Sequence, residues 1–308
     1  MRGTPAAGAI PAAAWTATPE RGSDGVIRAM IWIARRLGWR TAQVLLHPVT
    51  AYFLASSPRQ QAVSRTYLGR ALGRPAGLRD LWRLYFAFAS TILDRVWLVP
   101  GETRGFTLEI CGLEALRAII AEGRGCLLFG AHFGSFEALR AVADAGSPVE
   151  VSVLMHEANA RLKAIIDALG GPNRASAVIP LGEPDSMLRV REALEAGGLV
   201  GLLADRIPRG DRVRRVDFLG HPAPLPTGPH LLAEVLGAPV MLAFGVWRGP
   251  RRYEVRFEAF SPGGASPRAG REQAVSASVA RYAARLEAMC REHPYNWFNF
   301  HNFWAEEP

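Results

Sequence analysis

Two hydrophobic rhythms divide the chain. Up to about residue 101, apolar side chains return at helical spacing; from Phe106 onward, short apolar runs alternate with helical stretches. The first part predicts helices over Val26–Ser57, Pro58–Arg74 and Leu78–Leu98. In the last of these, Leu81, Leu84, Tyr85, Phe88, Ile92 and Val96 form one stripe. Pro100-Gly101 closes this section. The second part predicts strands at Thr107–Ile110, Cys126–Phe129, Val149–Leu154, Ala177–Ile179, Leu199–Leu203, Val213–Leu219, Val240–Trp247 and Tyr253–Phe260. Between them fall helices at Leu113–Ala121, Phe136–Asp144, Asn159–Leu169, Asp185–Ala196, Pro229–Leu236 and Glu272–Arg291. Strand and helix in turn predict an α/β fold, with helices on the faces of a sheet. Residues 1–24 are rich in Ala, Pro, Gly and Thr without periodicity, and read as a flexible tail. The chain then divides into that tail, a helical section over 25–101 and an α/β domain over 102–308.

Val26–Ser57 mixes Met30, Trp32, Ile33, Leu37, Trp39, Leu45, Leu46, Tyr52 and Phe53 with Arg28, Arg35, Arg36 and Arg40. The uncharged piece from Thr41 to Ser57 is too short, and too broken by His47-Pro48, for a membrane span of about 20 residues. Two readings stay open: helices lying in a membrane interface, or amphipathic helices packed on the domain.

Composition narrows the partners. A net charge of +8 favours anionic ones: a phospholipid surface, a phosphorylated lipid, an acidic carrier protein or nucleic acid. Lys163 is the only lysine, so nearly all positive charge sits on arginine, which suits fork-like contact with phosphate. Cys111, Cys126 and Cys290 are too widely spaced for a disulfide framework or a Cys-x-x-Cys metal site. No Gly-x-Ser-x-Gly elbow, phosphate-binding glycine loop or histidine pair at zinc spacing is present.

The stretch richest in chemistry is Gly125-Cys-Leu-Leu-Phe-Gly-Ala-His132-Phe-Gly-Ser-Phe-Glu137. His132 stands at the mouth of a strand-to-helix turn, outside the edge of the expected sheet. Residues five apart on one helix diverge by about 140°, so His132 and Glu137 would not meet if both were helical. With His132 placed before the first turn, its ring folds back and Glu137 accepts the Nδ1 proton, which leaves Nε2 as a base of raised pKa. Gly134 then allows a substrate to approach the backbone. The plainer reading is a helix-capping histidine and a glutamate on a solvated face. Further along, Asp205-Arg206 ends an apolar strand, either as a local pair closing a turn or as part of a site.

His-x4-Glu after an apolar strand resembles the signature of glycerolipid and lipid A acyltransferases. Gly-Ala-His-Phe-Gly-Ser-Phe-Glu is most similar to the branch that adds secondary acyl chains to lipid A, and to relatives found with aryl-polyene pigment pathways. The same resemblance covers Asp205-Arg206, the block Phe218-Leu-Gly220 … Pro226-Thr-Gly228, Met155 to Arg161, and the ending Tyr295-Asn-Trp297 … Trp304. It spans roughly residues 26–304. Where relatives carry Tyr or Phe this chain has His301, and where they carry Asp it has Asn302.

The resemblance implies a mixed central sheet flanked by helices, after a helical section that associates with the membrane. It implies an O-acyltransferase at the cytoplasmic face of a bacterial inner membrane, peripheral or monotopic. The donor is a thioester of acyl carrier protein or coenzyme A, and the acceptor a hydroxyl of a lipid, glycolipid or polyene lipid. No cofactor or metal is required, because the thioester is already activated, and nucleic acid is not a partner. His132 and Glu137 become the catalytic pair, and Gly134, Ser135, Asn159, Arg161, Asp205 and Arg206 the substrate groove. The alternative is an idle lipid- or carrier-binding protein of the same fold, against which His132 and Glu137 both stand intact.

Overall fold

The computed structural model describes residues 24–146, 151–155, 178–208 and 211–305. The helical section comprises α1 (Asp24–Ser56), α2 (Pro58–Leu72) and α3 (Leu78–Leu98). Then follow β1 (Thr107–Cys111), α4 (Leu113–Ala121), β2 (Cys126–Gly130), α5 (Phe136–Gly146), β3 (Val151–Met155), β4 (Val178–Pro180), α6 (Ser186–Glu195) and β5 (Leu199–Leu203). The chain continues through β6 (Val213–Phe218), β7 (His221–Pro226), α7 (Gly228–Leu236), β8 (Val240–Gly249), β9 (Arg252–Ser261) and α8 (Arg271–Glu292). The expected helix over Asn159–Leu169 lies outside the described residues.

Seven strands form one mixed sheet in the order β1-β9-β8-β2-β5-β3-β4, in which only β8 and β9 run antiparallel. Helices cover both faces, and this is why β2 and β5 are apolar at nearly every position rather than at alternate ones. Leu127 and Phe129 enter a core shared with Tyr67 of α2, Leu81 and Leu84 of α3, and Val279 and Leu286 of α8. Cys126 points the other way, among Leu116 of α4 and Ala138 and Val142 of α5. The helical section and the sheet therefore share apolar packing.

Sequence periodicity did not anticipate β7. Pro222, Pro224 and Pro226 argue against a strand, yet they pair with β6 in a separate two-stranded ladder. The three share one parity, so all can turn their missing N–H to the outer edge. Leu219 (φ 52°) and Gly220 (φ 76°) make the tight turn between the strands; positive φ at both positions is what a type I′ turn requires, and its twist matches the right-handed twist of the strands.

α1 is kinked at Gly38, where φ is 83° and ψ 167°. One side packs on α3: Ala34, Ala42 and Leu46 meet Leu93 and Val96. The other side leaves Trp32, Leu37, Val44 and Tyr52 exposed. The packed side bears out the reading of an amphipathic helix on the domain. Among the described residues, no helix is long and apolar enough to cross a membrane.

Candidate active site

β2 and β5 are parallel neighbours with Gly130 opposite Leu203. Beyond the ladder, the Ala204 N–H donates to the Gly130 carbonyl at 3.0 Å. His132 and Asp205 each stand two residues past a strand end, so they leave the carboxyl edge of the sheet side by side. His132 Nδ1 lies 2.8 Å from Asp205 Oδ1, and the His132 backbone N–H donates to Oδ2 at 2.9 Å. The Trp297 indole N–H donates to the same Oδ2 at 3.0 Å. Asp205 and Trp297 are buried, whereas the His132 side chain is 27% exposed. The imidazole is gripped through Nδ1, and Nε2 stands on the far side of the ring.

Burial pushes the His132 pKa down. Asp205 opposes this, but the charges of Arg206 and Arg95 add to it, and the net direction is below the ordinary histidine value. For Asp205, burial acts upward, yet His132, Arg206 and the Trp297 indole together hold the carboxyl well below the usual range. At neutral pH the pair is therefore an ionised Asp205 and a neutral His132 carrying its proton on Nδ1. This corrects the expectation of a raised histidine pKa: desolvation and two guanidinium groups outweigh one carboxylate.

The carboxylate on Nδ1 is thus Asp205, where the sequence reading placed Glu137. Glu137 sits in the first turn of α5, its Oε1 2.8 Å from Arg95 Nε of α3, and its Oε2 accepts from Ser135 Oγ at 3.2 Å. The cause lies in the intervening loop. It does not fold back on His132 but runs across its neighbours: the Gly134 N–H donates to the Asn296 carbonyl at 2.8 Å, and the Ser135 N–H to the Gly245 carbonyl at 2.7 Å.

Gly134 has φ +63°, and a Cβ there would overlap the Gly245 carbonyl of β8. Its close backbone approach is to the protein itself, not to a substrate. Ser135 is buried, and its hydroxyl caps α5 by accepting from the Ala138 N–H at 3.2 Å. Both expected groove residues serve the fold of the loop. Asn159 and Arg161 lie outside the described residues. Arg206 donates to the Phe298 carbonyl at 3.4 Å, beside the site.

The chain matches the bacterial lipid A biosynthesis acyltransferase family over residues 27–306. It belongs to that family. No curated protein matches it. The match supports acyl transfer to lipid as the activity, carried on the fold described above.

In this acyltransferase the C-terminal segment completes the site. Phe133 and Trp297 form an antiparallel bridge, and the Phe298 N–H donates to the His132 carbonyl at 2.7 Å. Asn296 clamps the backbone of Trp247, accepting its N–H at 2.7 Å and donating to its carbonyl at 3.2 Å. The hydrogen bond from Trp297 to Asp205 was not foreseen. Its signal was a pair of complementary needs: a buried indole N–H requires an acceptor, and a buried carboxylate requires donors. His301 is also close enough to respond to Arg206, Asp205 and His132, and burial, the largest influence, brings its pKa down to about 4. His230 is buried with Nδ1 2.8 Å from Ser278 Oγ, in a structural place. Arg212, Arg214 and Arg215 are exposed at the start of the β6–β7 hairpin. On the α5 side of the loop, Gly130, Ala131, Phe133, Phe136, Leu139 and Leu203 line part of an apolar cavity.

Proposed function

We propose that this acyltransferase moves a fatty acyl chain from a thioester of acyl carrier protein or coenzyme A to a hydroxyl of a lipid, glycolipid or polyene-lipid acceptor, with His132 as general base. The observation that carries this reading is a neutral imidazole fixed through Nδ1 by a buried Asp205, on a loop beside an apolar cavity. Nε2 takes the proton of the acceptor hydroxyl as its oxygen attacks the thioester carbonyl. The C–S bond then breaks, and the thiolate recovers the proton from the imidazolium. Asp205 stabilises the imidazolium between these two events. The outward face of α1 suits the inner-membrane surface at its cytoplasmic side, and a net charge of +8 suits anionic lipid and an acidic carrier.

The test is release of free thiol, together with transfer of a labelled acyl chain, from acyl-carrier protein and acyl-coenzyme A of graded chain length. Under-acylated lipid A in mixed micelles is the acceptor. His132→Ala should fold as wild type by circular dichroism and lose about 10²–10⁴-fold in rate, the range that general-base catalysis supplies. A folded His132→Ala protein with wild-type turnover refutes the mechanism.

A further inference from the structure

Glu137 does not orient His132, and its ion pair with Arg95 gives it another task. One face of α3 is directed at the sheet domain and is buried at Leu81, Leu84 and Tyr85. Farther along the same face the packing opens: Phe88 is 36% and Ile92 38% exposed. It closes again at Arg95, held by Glu137. Phe88 rests edge-on against Phe298 with ring centroids 5.2 Å apart, and Phe298 is the residue whose N–H bonds the His132 carbonyl. His132 therefore lies between the two points where α3 touches this part of the domain. The His132 and Arg95 side chains are 27% and 29% exposed, and Arg95 is near enough for its charge to act on the imidazole.

Attack on a thioester turns the carbonyl oxygen into an oxyanion, which needs a donor. The backbone N–H groups of residues 132 to 135 cannot supply one. They are bonded, in order, to Asp205 Oδ2 and to the carbonyls of Ala131, Asn296 and Gly245. The donor must come from elsewhere, and a side chain is available. Beyond Glu137, the Arg95 guanidinium has no hydrogen-bond or ion-pair partner among the described residues.

We propose that Arg95, oriented by Glu137, receives the oxyanion of the tetrahedral intermediate, while Phe88 and Ile92 line the groove that leads to it. The step is balanced. The acceptor oxygen bonds to the carbonyl carbon, the C=O π pair moves to the oxygen facing Arg95, and the hydroxyl proton goes to His132 Nε2. Collapse restores C=O, breaks C–S and protonates the thiolate. Glu137 acts as a positioning residue, through Arg95 rather than through the base. This inference rests on the acyl-transfer reading above.

The same thiol-release assay tests it. Arg95→Gln should lose about 10²–10³-fold in kcat, the cost of one oxyanion donor, with KM for donor and acceptor little changed. Glu137→Gln keeps the guanidinium but loosens it, and should lose less, up to about 10²-fold. The double variant Arg95→Met/Glu137→Met replaces the pair with apolar side chains that pack well enough to preserve folding. It should melt near the wild-type temperature and stay as slow as Arg95→Gln. Wild-type kcat in the double variant, or in Arg95→Gln, overturns the proposal by reducing the pair to a structural tie. The failures are distinguishable: a fast His132→Ala sinks the acyl-transfer mechanism, whereas a slow His132→Ala beside a fast Arg95→Gln sinks only the role of Arg95.

Discussion

Replacing Asp205 with Asn probes the site through a single proton. Oδ2 accepts two donors, the His132 backbone N–H and the Trp297 indole N–H, while Oδ1 meets His132 Nδ1. An asparagine must keep its carbonyl oxygen where the two donors converge, so its NH2 faces Nδ1. The imidazole then accepts at Nδ1 and carries its proton on Nε2, where the acceptor hydroxyl should deliver one. The base is occupied although every heavy atom is in place. The same tautomer inversion in the serine-protease triad costs about 10⁴-fold in kcat, and a loss of that order is expected here. Stability should fall far less. Weakening hydrogen bonds to a charged group costs about 1.5–3 kcal/mol, against about 5 kcal/mol of barrier for 10⁴-fold in rate. Acyl transfer and a thermal melt on the same preparation separate the two. Asp205→Asn turning over at the wild-type rate would refute the tautomer argument and return Asp205 to a structural role.

Four further outcomes follow from the geometry. Because the folded His132 pKa lies below about 6.5, kcat/KM for a slow substrate should rise with pH through a midpoint below that value; a midpoint above it contradicts the burial argument. The accompanying stability is present above the unfolded histidine pKa and is lost as pH falls through the folded one, so wild type should lose more stability on acidification below about pH 6.5 than His132→Gln does, as urea titrations at several pH values would show. Gly134→Ala forces a side chain to φ +63° and into the Gly245 carbonyl; it should cost at least about 1–2 kcal/mol in a thermal melt, and an unchanged melting temperature would mean the loop is not held as described. Val44→Ser/Tyr52→Ser on the outward face of α1 should reduce sedimentation with phosphatidylglycerol vesicles by at least about tenfold, from the lost burial of two apolar groups, and equal sedimentation would exclude that face as the contact.

The vesicle experiment also shows what a sequence reading of α1 lacks. Composition suggests deleting residues 1–57, but that would strip the cover from Leu93 and Val96 and confuse membrane release with unfolding. Local signals were legible where one element decides them. The stripe on α3 gave its bounds directly, the apolar runs gave β2 and β5, and His132 fell at a strand mouth because Gly130 and Ala131 end the run. What periodicity could not give was adjacency. Asp205 lies 73 residues from His132 and Trp297 another 92 beyond Asp205. Their meeting depends on β5 pairing with β2 and on the C-terminal segment crossing both, which no local window contains. β7 was hidden for a different reason: its three prolines are tolerated only because the hairpin has a free edge.

The two carboxylates show how adjacency overrides spacing. Glu137 is five residues from His132, yet the chain between them is spent on β8 and the C-terminal segment, and this delivers Glu137 to α3. Asp205 is remote in sequence, yet parallel pairing makes position 205 the neighbour of position 132 once Gly130 is opposite Leu203. A five-residue spacing thus fixes where the helix starts relative to the base, and the partner of each acid is chosen by what lies across the loop. A shift of either acid should consequently fail for different reasons. Exchanging Glu137 for Asp shortens its reach to Arg95 and leaves the imidazole tautomer untouched, whereas exchanging Asp205 for Glu pushes a longer side chain into a site closed by Trp297. The first should lower kcat at an unchanged acid limb; the second should disturb both the acid limb and the melt. If the two conservative exchanges behaved alike, the division of labour between the carboxylates would be wrong.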